Sequence, residues 1–200
     1  MSIKINYSNQ SNGKAKANIV LFSNEKFNIT GIKRYLSNFE FSYVSDLLKN
    51  SDLKKNLFFF YLNLKKKIVL ISIKKNLKNS EIENLGAEFY GRINYGKSSS
   101  YFVISDSVIS KNKNFIAHFL HGLKLKSYEF KKYKTKKNER IISLTVLGRN
   151  KPSSQNQIKF KALEEGTYFA RDLVSEPGNI LHPDEYAKRI NSLKKDGLKI

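Results

Sequence analysis

Cysteine and tryptophan are absent from these 200 residues, and proline occurs only three times. Without cysteine there can be no disulfide and no thiolate metal site, which is compatible with a reducing compartment. Acidic residues are also scarce, at 17 against 37 basic ones, for a formal charge of +20. Long apolar runs are missing as well. The longest, Leu57 to Leu64, is interrupted by Asn63 and falls well short of the roughly 20 residues that a membrane helix needs. The opening MSIKINYSNQ lacks the apolar core of a signal peptide. There is no H-E-x-x-H zinc helix and no G-x-S-x-G nucleophile elbow, so those hydrolase chemistries have no support. These absences together describe a soluble, cytoplasmic chain.

The positive charge is unevenly placed. Residues 161–200 hold seven basic and seven acidic side chains, so the whole excess, thirty basic against ten acidic, lies before them. This supports a boundary near residue 160. Most of the excess is lysine, in a chain also rich in Asn, Ile, Phe, Tyr and Ser, a mixture that an AT-rich coding sequence produces without any anionic partner. A charge of this size still favours solubility and nonspecific attraction to polyanions.

Strand and helix patterns alternate along the chain. Ile3, Ile5 and Tyr7 alternate with polar residues as a half-buried strand does, and Asn9 to Gly13 is a loop. Ala17 to Phe22 is continuous enough for an interior strand. Ile32 to Leu48 reads as helix, with Tyr35, Phe39, Val44 and Leu47 or Leu48 available for burial and Asn38 as a possible break. Leu57–Leu64 and Ile68–Ile73 flank Lys65-Lys66-Lys67 as a hairpin whose tip is kept soluble by charge. Ser80 and Glu83 look like a capping box before the apolar positions Ile82, Leu85, Phe89 and Ile93. A strand at Tyr101–Ile104, a helix at Phe115–Leu125 and a strand at Ile141–Leu147 follow. The class is α/β, with a mixed sheet flanked by helices. Lys151 to Gln157, polar and containing proline, is the best linker.

Beyond it, Ile158, Ala162, Phe169 and Leu173, with Leu163, Ala170 and Val174 beside them, recur at helical spacing and predict one buried stripe. The helix must stop near Ser175, because Glu176 precedes Pro177 and a residue before proline is pushed out of the α region. Pro177-Gly178-Asn179 turns the chain. A second helix starts at Pro183, with Asp184 and Glu185 complementing its dipole, Tyr186, Ile190 and Leu193 as its apolar face, and Gly197 closing it.

Four constellations were weighed for chemistry. Gly91 to Ser98, GRINYGKS, satisfies the literal phosphate-loop pattern. That loop, however, needs a strand before it and a helix after it, and here the order is reversed. His118 and His121 are spaced i, i+3 on one helix, but the remaining histidine, His182, is in a capping position, so carboxylates from elsewhere would have to complete a metal site. They read as histidines on or beside a core helix. Lys131, Lys132, Lys134, Lys136 and Lys137, interleaved with Tyr128, Phe130 and Tyr133, have the composition of a nucleic-acid contact, or of a solvated strand end in a lysine-rich chain. Asp172 and Glu176 have no second group converging on them in sequence and are expected to hold the helix end and the turn.

The string Ala170-Arg171-Asp172-Leu173-Val174-Ser175-Glu176-Pro177, continuing through Asn179, Leu181 and Pro183, resembles a signature of the leucyl (cytosol) aminopeptidase family, dinuclear-metal exopeptidases. The signature lies where the family's N-terminal domain meets its catalytic domain. Ser175 and His182 depart from its usual Asn and Thr. Gly122 to Lys137, GLKLKSYEFKKYKTKK, is similar to a second family segment, while the region before residue 110 follows the family only in its order of elements. The resemblance implies a macro-domain-like sheet domain at 1–150, a linker at 151–157, and helices at 158–200 that open an incomplete second α/β domain. It also implies, for an intact member, release of N-terminal residues from peptides, two divalent ions (zinc or manganese) and a homo-hexamer. The family's downstream metal motifs do not occur here. No catalytic residue, metal or cofactor is therefore expected on this chain, and Gly197–Ile200 reads as the opening strand of a truncated catalytic domain. A basic nucleic-acid-binding module without enzymatic activity is the alternative reading.

Overall fold

The apolar run Ile19–Phe22 has no polar face, so both of its sides must be covered. The computed structural model, which describes residues 3–9, 18–64, 66–94, 100–135 and 141–200, places it mid-sheet with helices above and below. The strands are β1 (Ile3–Ser8), β2 (Asn18–Asn24), β3 (Leu57–Tyr61), β4 (Lys67–Ile73), β5 (Ser100–Ile104) and β6 (Ile142–Leu147), in the order β1-β6-β5-β2-β4-β3. All neighbours are parallel except β3, which runs antiparallel to β4 at one edge. Alternate residues of β2 face opposite layers. Val20 and Phe22 join the core beneath α2 (Asn79–Ile93) and α3 (Phe115–Lys126), while Ile19 and Leu21 join the core beneath α1 (Asn38–Lys49) and the 3-10 helix Thr30–Tyr35.

The break foreseen at Asn38 falls at Leu36 and Ser37. Ser37 Oγ accepts from the Glu40 N–H at 3.2 Å, and Glu40 Oε2 accepts in return from Ser37, so the box caps the second helix where the first one ends. Tyr35, Val44 and Leu48 are buried, whereas Phe39 is 74% exposed and lies against Tyr43 on the outer face. The capping pair expected at Ser80 and Glu83 stands two residues earlier, with Glu81 accepting from the Lys78 N–H at 2.7 Å. Glu83 is two residues too far into α2 to reach that N–H and faces α3 instead. Two parts of the loop and hairpin expectations, residues 10–17 and Lys65, lie outside the described residues.

Helices α2 and α3 pack unusually closely. A Cβ on Gly86 would stand 1.9 Å from the Phe119 carbonyl oxygen, and one on Gly122 would stand 1.9 Å from that of Glu83. Glycine is required at both positions because backbone occupies the space.

Ser153 caps a 22-residue helix, α4 (Ser154–Ser175), so Ser154 to Gln157 of the expected linker are helical and form its first turn. Next comes α5 (Pro183–Asn191), continued by a 3-10 turn over Ser192–Asp196 that Gly197 closes at φ +88°. Residues 198–200 are not strand. Among the described residues, no helix is long and apolar enough to cross a membrane.

Gly122→Ala is expected to destabilise the chain by about 1–3 kcal/mol, the usual cost of overpacking. An unchanged denaturation midpoint would show that α2 and α3 can separate without cost.

Candidate functional site

Glu164 is the most telling residue of α4. It is 2% exposed, the one buried position of that helix. A carboxylate taken out of water is costly unless charged or polar donors meet it. Two do, both from α3: His121 Nδ1 lies 3.2 Å from Glu164 Oε1, and the Lys124 ammonium donates to Oε2 at 2.8 Å. Facing an acceptor, His121 must carry its proton on Nδ1.

From Glu164 the contact continues as a ladder. The Tyr168 hydroxyl donates to the Lys124 carbonyl at 2.5 Å, which also accepts from Ser127, and Arg171 Nη1 donates to the Leu125 carbonyl at 2.6 Å, both in the last turn of α3 where the helical ladder runs out of donors. The Tyr128 hydroxyl donates to Asp172 at 2.7 Å, its ring stacks on Tyr168, and the Arg171 guanidinium sits over it. At the foot, Glu176 accepts from the Lys132 ammonium, from the Tyr133 hydroxyl and, at 2.8 Å, from Arg189 of α5. Hydrogen bonds from Lys132 and Tyr133, helped by Arg189, hold the Glu176 carboxyl down at about 2. Arg189 also binds Glu185 at 3.0 Å, which fixes α5 against the turn.

This corrects the expected face of α4. Phe160, Glu164, Tyr168 and Arg171 follow one another at helical spacing, so they share one side of the helix, and that is the side that docks. The apolar stripe lies on the other side. Ile158 is 71% exposed and Val174 87%; Leu163, Ala162 and Ala170 are exposed too, and Phe169 and Leu173 only half-buried. Tyr186 of α5 is exposed, while Ile190 of α5 and Leu193 of the following 3-10 turn are half-buried. Both faces of α4 repeat with the helical period, and what decides between them is the partner: the seam offers cations, carbonyls and tyrosines, which a polar face can match.

His118 and His121 do sit on α3, as expected. Each pairs with a carboxylate on a different neighbour, His118 with Glu83 of α2 at 2.7 Å and His121 with Glu164, and both rings touch Phe160. Among the described residues, no group of three or more His, Asp or Glu could hold a metal ion. The residues present thus do not fit a dinuclear centre. Of the lysines weighed for nucleic acid, Lys131 is paired with Glu129 and Lys132 with Glu176, Lys134 is exposed, and Lys136 and Lys137 lie outside the described residues. Of the phosphate-loop pattern, Gly91 to Ile93 are the last turn of α2 and Tyr95 to Ser98 lie outside the described residues. Asp172 and Glu176 hold the helix end and the turn through partners that include Tyr128, Lys132 and Tyr133, 43 or 44 residues upstream, a separation that local spacing does not signal.

No family model matches the chain. It is, however, 34% identical over 120 residues to the probable cytosol aminopeptidase of Methylorubrum extorquens, covering 58% of this chain and 24% of that protein. It is 32% identical over 144 residues to the probable cytosol aminopeptidase of Wolbachia pipientis wMel, covering 68% of this chain and 27% of that protein. Among solved structures, a tomato leucine aminopeptidase mutant superposes with a TM-score of 0.67 at 15% identity, over 97% of this chain and 42% of that one. The bottromycin maturation enzyme BotP gives 0.65 at 14% identity, over 92% and 38%. At such identities the structural likeness establishes the fold, the six-strand mixed sheet with its flanking helices. The sequence matches add kinship: the chain is a homologue of the cytosol aminopeptidases, consistent with the N-terminal part of the leucyl aminopeptidase family. It spans about a quarter of the length of these curated relatives.

Glu164→Ala should cost about 1–3 kcal/mol of stability, the price of buried partners left unmatched, while Ile158→Ser and Val174→Ser should stay within about 0.5 kcal/mol. Chemical denaturation of the three variants checks this, and the reverse order would restore the apolar face as the docked one. Because the Glu176 carboxyl is depressed from the ordinary 4.5 to about 2, its contribution is present above pH 4.5 and is lost as pH falls toward 2. The protection of residues 183–191 against hydrogen exchange, taken relative to the intrinsic amide rates at each pH, should therefore fall across that acid window, and Glu176→Gln should reduce that fall.

Proposed function

We propose that the chain is the N-terminal, non-catalytic part of a leucyl aminopeptidase-like protein. Residues 1–150 form its sheet domain, 151–157 lead out of that domain, and 158–200 open the catalytic part. The observation that carries this reading is the ladder. The two segments resembling the family, Gly122 to Lys137 and Ala170 to Pro183, are far apart in sequence yet form the two sides of one built contact. A chance likeness of two strings would not need them to touch.

In the intact protein, the activity is metal-dependent release of N-terminal amino acids from peptides, with two divalent ions, zinc or manganese, supplied with ligands by segments other than those described here. The protein is cytoplasmic and assembles as a homo-hexamer. The ladder's role is mechanical, setting the angle at which α4 and α5 leave the sheet domain. The exposed stripe of α4 around Ile158, Leu163 and Val174 is the surface on which the catalytic part packs, since apolar area of this kind is stabilised by being covered.

The 200-residue chain, supplied with manganese or zinc, is expected to leave leucine p-nitroanilide unhydrolysed. Turnover above a protein-free blank would overturn the non-catalytic reading. Grafted in place of the corresponding segment of a cytosol aminopeptidase, the chain should support hydrolysis, and Ile158→Glu with Val174→Glu should lower it at least about tenfold, as burying two unpaired charges would. Full activity of the doubly substituted graft would remove the stripe as the packing surface.

A further inference from the structure

Beside the ladder is a space that it does not fill. Between β1, the edge strand of the sheet, and the first half of α4 lies a cavity of about 340 Å³. That is within the size range of small-molecule sites. Its apolar wall is made by Ile5, Leu120 and Phe160, from three different elements. Two donors reach the same space. The Tyr7 hydroxyl is hydrogen-bonded to no described residue, and burial, with the charge of Glu164 adding to it, pushes the phenol up to about 12, so it stays protonated at neutral pH. The Lys124 ammonium gives one N–H to Glu164 and has two more to offer.

The sign of the ligand follows from what is already satisfied. Glu164, the one carboxylate among the described residues of the lining, has one oxygen on His121 and the other on Lys124. It is not available for an incoming cation. Lys4 and Lys161 join Lys124 in the lining, so the cavity pairs an apolar wall with hydrogen-bond donors and three lysines against a carboxylate whose two oxygens are already engaged. We propose that this cavity binds a small organic carboxylate with an apolar body, its carboxylate accepting from Tyr7 and Lys124 and its hydrocarbon resting on Ile5, Leu120 and Phe160. Charge-assisted bonds to the carboxylate supply specificity, and burial of the hydrocarbon supplies affinity. The site is independent of peptidase activity and stands or falls separately from the aminopeptidase reading.

The probe is 3-phenylpropionate, titrated into the isotopically labelled 200-residue chain while the backbone amides of Ala117 and Leu120 are followed by NMR; its neutral amide serves as comparison. Saturable shifts at these two residues are expected, with the acid binding at least about tenfold more tightly than the amide, as the loss of charge-assisted bonds requires. Tyr7→Phe keeps the ring and removes only the hydroxyl. Its fold can be checked by thermal melting, and it should weaken acid binding about fivefold. Shifts that fail to saturate at millimolar ligand, equal binding of acid and amide, or an unaltered affinity in Tyr7→Phe would each overturn the site.

Discussion

A single buried carboxylate governs how the second half of this chain is arranged. Glu164 can leave water only where His121 and Lys124 meet it, and that requirement fixes the rotation of α4 about its own axis. Once the rotation is set, Tyr168 and Arg171 fall over the carbonyl end of α3 and Asp172 over Tyr128. Glu176 arrives where Lys132, Tyr133 and Arg189 converge. An apolar seam of the same area would have tolerated slippage, because hydrophobic contact is not directional. Hydrogen bonds and ion pairs at fixed spacing do not tolerate it.

The same rotation explains the exposure of the apolar stripe. A helix cannot present both of its faces to one neighbour, and the polar face has claimed α3. The apolar side is thereby turned outward, while its spacing remains that of a surface made for packing. The position of the docking surface is thus a consequence of the ladder and not a separate device.

Much of the sheet was legible in the sequence because it depends on local pattern. Ile19–Phe22 and Ile68–Ile73 are apolar on both faces and proved to be central strands; Pro183 and Gly197 marked the limits of the last helical segment. Periodicity failed where a choice between partners was needed. It showed that α4 is a helix, but two faces repeat with the same period and the one that docks is recognised only by Lys124, Tyr128 and Lys132, some forty residues earlier. The misplaced cap on α2 has the same origin. Local spacing points Glu83 at a backbone N–H, yet its place on the helix turns it toward His118 of another element. The aminopeptidase likeness was legible because it rests on a string of residues, whereas the cavity beside β1 is assembled from three separate stretches and left no string to read.

The position of β1 bears on how such a chain is made. Among the described residues β1 pairs in the sheet only with β6, aligning Ile3 with Ile142, and β6 in turn lies between β1 and β5. During synthesis β1 must therefore wait, unpaired, until nearly three-quarters of the 200 residues have emerged. A strand edge left open for so long is exposed to misassociation, and pairings this distant in sequence form slowly. Seating of β1, insertion of β6 and closure of α4 onto α3 become successive steps, with β1 among the last parts of the sheet to be secured.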